Sequence, residues 1–233
     1  MWETDMAFFS RNFQPVAFDF PGFGSSPSMG PELSMEAAAD AAKKLCDDLF
    51  PEEKIILCGL SMGGYAAFEF ARKYGNQLRG LILASTRAAP DSPEARENRF
   101  RMIDTVKSQG VNAIADAMLP KLLGKTATNL RPELVARVRE IILKNTPDGV
   151  AAALQGMANR RDSTSLLAEM RYPVLILAGE EDTLIKAEES KAMAEKLPRA
   201  RFECFREAGH LINLEQPEAF EKSIVNFLKA KVL

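Results

Sequence analysis

The pentapeptide Gly59-Leu60-Ser61-Met62-Gly63 constrains this chain more than any other stretch. Its G-x-S-x-G form alone says little, since average composition produces it by chance in about one chain in twenty of this length. Its context says much more. The apolar run 54–58 before it reads as a buried strand, and a helical pattern opens directly after it. A serine on so tight a strand-to-helix turn is pushed into strained backbone angles, and flanking glycines avoid a Cβ clash where the chain doubles back. The helix N-terminus then aims its free N–H groups at developing negative charge. These features make Ser61 a candidate nucleophile and the Met62 backbone N–H the first candidate oxyanion donor.

Around this turn the chain alternates strand and helix. Five short apolar runs, 15–20, 54–59, 78–84, 173–179 and 201–205, read as strands buried on both faces. Between them, 34–49 places Ala38, Ala41, Leu45 and Leu49 on one helical face. The run after Ser61 groups Ala67, Phe70, Ala71 and Tyr74, with Gly75 as a C′ stop. A last helix opens at Pro217 and aligns Phe220, Ile224 and Phe227. Such alternation predicts an α/β fold, a mostly parallel sheet flanked by helices. From Pro90 to Arg171 no strand pattern appears, only helical starts at Pro93, Pro132 and the Thr146-Pro147 pair. A stretch of that length is too long for a loop. It reads as a helical lid, 90–171, inserted between core segments 1–89 and 172–233. Its residues Met102, Met118 and Met157 suggest an apolar pocket, although core packing is the more ordinary role for each.

A serine hydroxyl needs a base. The sequence contains one histidine, His210, so that choice is forced. It lies just past the last strand run, at the C-terminal edge where open α/β sheets hold their sites. An acid must orient it, and the loop after 173–179 offers Glu180, Glu181 and Asp182. The Gly179-x-x-Asp182 spacing clears the strand end before the carboxylate turns inward, which favours Asp182, with the two glutamates facing solvent. The chain order Ser…Asp…His differs from the orders of trypsin-like and subtilisin-like proteases.

With these residues placed, the sequence resembles a lid-bearing α/β-hydrolase, nearest to bacterial carboxylesterases and 3-oxoadipate enol-lactonase-like proteins. The matching pieces are Asp19-Phe20-Pro21-Gly22-Phe23-Gly24-Ser25-Ser26, the Ser61 pentapeptide with Gly64, the run from Pro173 to Asp182, Ala208-Gly209-His210, and Glu215-Gln216-Pro217. The resemblance implies a Ser61–Asp182–His210 triad, with hydrolysis of a small ester or lactone as the first reading. Thioester, carbon–carbon bond and cofactor-free haloperoxidase chemistry use the same triad, and a catalytically impaired binding protein on the same fold is the alternative of a different class. It disfavours haloalkane dehalogenase and epoxide hydrolase chemistry, whose enzymes carry Asp where this chain has Ser61. It also implies an N-terminal stretch with a central strand and a His-Gly oxyanion loop, whereas Met1-Trp2 resembles a later point. The expectation is therefore a start some tens of residues late. That would leave a gap of roughly 10 Å in the sheet centre, and a missing donor would cost on the order of 10²–10³ in rate.

Charge excludes some alternatives. Thirty Lys and Arg against 32 Asp and Glu give a net charge of −2, which offers no footprint for nucleic acid or an anionic membrane. Three cysteines, Cys46, Cys58 and Cys204, form no metal-binding spacing and no disulfide framework. No phosphate-cradling glycine loop appears, so neither a metal nor an organic cofactor is expected. With no basic leader and no long apolar run, the cytoplasm is the expected compartment. A homo-oligomer is compatible with all of this.

Overall fold

The computed structural model describes residues 1–232. Four strands, β1 (Ile55–Leu60), β2 (Leu78–Ala84), β3 (Val174–Gly179) and β4 (Ala200–Phe205), form one sheet in the order β1-β2-β3-β4. Every neighbouring pair is parallel. The two middle strands explain why their sequences are continuously apolar. Leu81, Leu83, Val174 and Ile176 point into one hydrophobic layer, while Ile82, Ala84, Leu175 and Leu177 point into the other. Alternate side chains of one strand thus face two different cores.

Helices cover both faces. The first layer is closed by α2 (Met35–Leu49), α3 (Met62–Tyr74) and α9 (Ala187–Glu195) through Ala39, Phe68, Phe70 and Met193. The second is closed by α10 (Ile212–Glu215) and α11 (Pro217–Phe227), whose Phe220, Ile224 and Phe227 are buried in the expected alignment. The short α1 (Glu3–Phe9) lies against α11, where Trp2 meets Phe220 at 6.3 Å between ring centroids.

Between β2 and β3 the described residues contain no strand. They form α4 (Pro93–Gln109), α5 (Val111–Leu122), α6 (Lys125–Leu130), α7 (Pro132–Leu143) and α8 (Pro147–Asn159). Pro93, Pro132 and Pro147 all occupy first-turn positions. There a missing N–H costs nothing and a fixed φ is already helical. Ser92 and Thr146 cap their helices by accepting the N–H groups of Ala95 and Gly149. This insertion has its own core around Ile103, Val106, Ile114 and Leu154, and Met102, Met118 and Met157 pack on it. Those methionines therefore serve packing.

Several sequence expectations are corrected. Residues 15–20 form no strand and lie in no ladder; they run as irregular chain leading into a turn where the Gly22 N–H donates to the Ser26 and Pro27 carbonyls. A strand needs a neighbour, and no described strand lies beside residues 15–20; β1 is itself the edge of the sheet. For the same reason β1 is half-buried over Ile55 to Cys58, and β4, the opposite edge, is exposed at Ala200 and Arg201. Neither is buried on both faces. α3 does end at Tyr74 with Gly75 at its C-cap, as expected, and Gly75 is right-handed there, with φ −59° and ψ −24°, because the chain tightens into a 3₁₀ turn, Gly75–Gln77. The buried face of α2 is Met35, Ala38, Ala39 and Ala42, and Leu49 is exposed at the last turn. Small residues sit there because α2 packs closely against α3.

Candidate active site

Ser61 is the hinge between β1 and α3. Its backbone holds φ 53° and ψ −115°, a left-handed conformation for a residue with a Cβ. Strain of that kind costs on the order of 1–3 kcal/mol and persists only where surroundings impose it. Here the Ser61 N–H donates to the Ala84 carbonyl at 2.9 Å, and the Thr86 hydroxyl donates to the Ser61 carbonyl at 2.9 Å. Thr86 was not singled out by the sequence; no local pattern marks it. The steric requirement for glycine falls at Gly59, whose Cβ would strike the Gly63 carbonyl, and at Gly64, whose Cβ would strike the Thr86 side chain. Gly63 itself has open space at the Cβ position, so the chain doubles back against Gly59 and Gly64 rather than Gly63. Met62 is the first residue of α3, where an N–H has no intrahelical acceptor.

Asp182 and His210 meet at the ends of β3 and β4. His210 Nδ1 lies 2.7 Å from Asp182 Oδ2, and both side chains are buried. The other oxygen of Asp182 accepts the backbone N–H groups of Leu184 (2.8 Å) and Ile185 (3.0 Å). A carboxylate only accepts, so the bond suits an imidazole that donates from Nδ1, and in the neutral ring that tautomer carries its lone pair on Nε2. The loop carrying His210 folds back over the end of β3: the Glu181 N–H donates to the Ala208 carbonyl at 2.8 Å, and Gly179 has no room for a Cβ beside Ala208 and Gly209. This return matters because β1 and β4 are three strand steps apart, about 14 Å. Leu60, next to Ser61, shares a packed cluster with Ala208, Leu211 and Ile212 around the histidine. Among the described residues no hydrogen bond joins Ser61 Oγ to His210; the acid is paired with the base, and the serine follows β1 at the same C-terminal end of the strands.

The neighbouring glutamates do not share one role. Glu180 is exposed. Glu181, expected to face solvent, instead accepts the Thr126 N–H and hydroxyl, both at 2.8 Å, and its side chain is only 10% exposed. Glu215 is buried and accepts the N–H groups of Gly209 (2.9 Å), Gly124 (2.9 Å) and Leu211 (3.2 Å). Burial pushes its carboxyl above the usual value, against the pull of those three N–H groups. Cys58, three residues before Ser61, is no rival nucleophile, because burial pushes its thiol up to about 12.

The insertion closes over the elbow. On α8, Ala152 and Ala153 pack with Leu33, Ala38 and Ala66, and Phe20, Phe23 and Met62 lie against that cluster. Such an arrangement can bring an acyl group beside Ser61 in apolar surroundings, with a paired histidine and acid within the same end of the sheet. No group of three or more His, Cys, Asp or Glu is placed to hold a metal among the described residues, and none of their helices is long and apolar enough to cross a membrane.

A parallel sheet covered on both faces, a positive-φ serine after one strand and an Asp–His pair after two others define a hydrolase of the α/β class. The chain belongs to the alpha/beta hydrolase family, whose profile matches residues 1–222. It is similar to a thermophilic esterase from Thermogutta terrifontis, with 43% identity and a TM-score of 0.96 over 100% of this chain and 85% of that one. The enol-lactonase from Burkholderia xenovorans is 25% identical with a TM-score of 0.88, over 98% of this chain and 85% of its own. Among curated relatives, 3-oxoadipate enol-lactonase 2 of Acinetobacter baylyi is 25% identical over 98% of this chain and 84% of that protein.

Proposed function

We propose that this protein is a serine hydrolase that cleaves small carboxylic esters through an acyl-enzyme on Ser61. The observation that carries the reading is the buried 2.7 Å bond from His210 Nδ1 to Asp182, which leaves Nε2 free to act as a base at the C-terminal end of the strands, where the strained Ser61 also stands. Similarity to the Thermogutta terrifontis esterase supports the ester as substrate class.

The steps follow from those positions. On binding of an ester, Nε2 of His210 takes the Ser61 proton while Oγ attacks the acyl carbon. The carbonyl oxygen becomes an oxyanion facing the Met62 N–H, a donor of the kind worth about 10²–10³ in rate. Asp182 stabilises the imidazolium. The tetrahedral adduct collapses, the C–O bond to the alcohol breaks, and the imidazolium gives its proton to the departing alkoxide. Water then attacks the acyl-enzyme with His210 again as base, and the acid leaves with Ser61 restored. The helical insertion acts as a lid, packed through Ala152 and Ala153 of α8 into the cluster against which Phe20, Phe23 and Met62 lie.

A lactone is the second reading, favoured by the enol-lactonases among the similar proteins. The chemistry is the same, with the alcohol remaining tethered to the product. A screen of p-nitrophenyl esters of graded chain length and several lactones, with Ser61→Ala as control, separates the two. Turnover of esters that vanishes in the variant is the expected result. Turnover unchanged by Ser61→Ala contradicts the reading.

A further inference from the structure

The buried carboxylate of Glu215 sits astride the histidine. Its Oε2 accepts the N–H of Gly209, immediately before His210, and its Oε1 accepts the N–H of Leu211, immediately after. Oε2 also accepts the N–H of Gly124, in the short link between α5 and α6 of the insertion. Three backbone donors converge on one side chain, and only a group with two acceptor oxygens serves all of them. Glu215 is itself held in place, because its own N–H donates to the Leu211 carbonyl at 2.9 Å. The Gly209 and Gly124 backbones approach so closely that neither position leaves room for a Cβ.

The acid side of the pair is tied to the same link. Glu181 precedes Asp182 and accepts the N–H and hydroxyl of Thr126. The chain at 122–126 is therefore a common plate to which the loops carrying Asp182 and His210 are both fastened. At this end the insertion is anchored rather than free to swing.

We propose that Glu215 is a positioning residue for His210. By holding the N–H groups on both sides of the histidine and that of Gly124, it sets the imidazole against Asp182 and toward Ser61. It touches neither substrate nor reacting atoms, and it acts through the backbone of residues 209–211. This inference rests on the acyl-transfer reading above. Displacing a catalytic group by an ångström can cost about a hundredfold in rate, so a small loss of fastening is enough to be measured.

The test compares Glu215→Gln with the wild type and with Ser92→Ala, using a p-nitrophenyl ester and one spectroscopic readout. In Glu215→Gln an NH₂ group must face at least one of the three N–H donors. The expected result is a fall in kcat of about 10–100-fold, with KM changed less than about threefold. His210 is the single histidine of the sequence, so its hydrogen-bonded Nδ1 proton gives one assignable downfield NMR resonance. That resonance is expected to shift and broaden in Glu215→Gln. Ser92→Ala removes the cap that accepts the Ala95 N–H at the start of α4, remote from both catalytic loops, so it should lower the melting temperature and leave both kcat and the resonance unchanged. A folded Glu215→Gln protein with wild-type kcat and an unchanged resonance overturns the proposal. If that variant does not fold, Glu215→Asp keeps both oxygens on a shorter arm and decides by the same readouts: an intermediate kcat and a shifted resonance support positioning, and wild-type values overturn it. A wild-type protein with no Ser61-dependent turnover refutes the acyl-transfer reading instead, while the resonance still decides whether Glu215 positions His210.

Discussion

Replacing Asp182 by asparagine should nearly abolish activity while leaving the fold intact, and the surrounding hydrogen bonds show why. Asp182 Oδ1 accepts two backbone N–H groups, from Leu184 and Ile185, and Oδ2 faces His210 Nδ1. An amide has one acceptor oxygen and one donor NH₂. Turning the oxygen toward Leu184 and Ile185 satisfies two donors; turning it toward the imidazole satisfies one and leaves two buried N–H groups facing NH₂. Each unsatisfied buried donor costs about 1–3 kcal/mol, so the first orientation is favoured by roughly that amount. The NH₂ then points at Nδ1, which must give up its proton to accept it. The imidazole is driven into the tautomer with the proton on Nε2, and it can no longer take one from Ser61. A wrong tautomer of this kind lowers kcat by about 10⁴, equivalent to about 5.5 kcal/mol of barrier. The assay is kcat for a p-nitrophenyl ester near neutral pH, with ¹⁵N-histidine NMR reporting the tautomer of the single histidine. A loss below about tenfold, with Nδ1 still protonated, would refute the reasoning.

Other consequences are smaller or concern stability. Gly64→Ala should destabilise by about 1–3 kcal/mol, because its Cβ meets Thr86 atoms at 2.5–2.6 Å, whereas Gly63→Ala, with nothing within 4 Å, should not; paired thermal melts check this. Asp91 carries a side chain only 1% exposed among Arg99, Arg160 and Arg87, where it ties the two ends of the insertion together. Asp91→Asn leaves Arg160 buried without its carboxylate, at a cost of about 3–5 kcal/mol, read as a fall in melting temperature of about 6–20 °C. The same residue has a pH signature. Burial opposes its ionisation, but Arg99 and Arg160 outweigh burial and hold its carboxyl below the ordinary 3.8. A depressed carboxylate contributes stability above its unfolded value and loses it as pH falls through the folded one. The melting-temperature gap between wild type and Asp91→Asn should thus be constant at neutral pH and close in acid, below about pH 4; a gap that widens there contradicts the ion-pair account.

The parts of this protein written in local pattern were legible. The continuous apolar runs at 78–84 and 173–179 could only be strands with helices on both sides, and β2 and β3 are those strands. Proline at a first turn is equally local, and Pro93, Pro132, Pro147 and Pro217 all mark helix starts. What failed depends on neighbours. Residues 15–20 carry a strand-like pattern, but pairing is a property of two segments, and no adjacent strand receives them. At the site, the Gly179-x-x-Asp182 spacing singled out the residue that reaches His210, since the distance from a strand end is local information. The burial of Glu181 and Glu215 was not legible. Their partners, Thr126 and Gly124, lie 55 and 91 residues away, within an insertion whose docking the sequence does not encode in any short motif. Glu215 stood in a recognisable Glu-Gln-Pro sequence, which offered a signal without a role.

The step on which the other reactions depend is nucleophilic attack by Ser61. Its most direct test is intact-mass analysis after reaction with a fluorophosphonate probe, comparing wild type with Ser61→Ala. A single phosphonyl adduct is expected on the wild-type chain, located at Ser61, and none on the variant. An unlabelled wild-type protein, or equal labelling of both proteins, would contradict it.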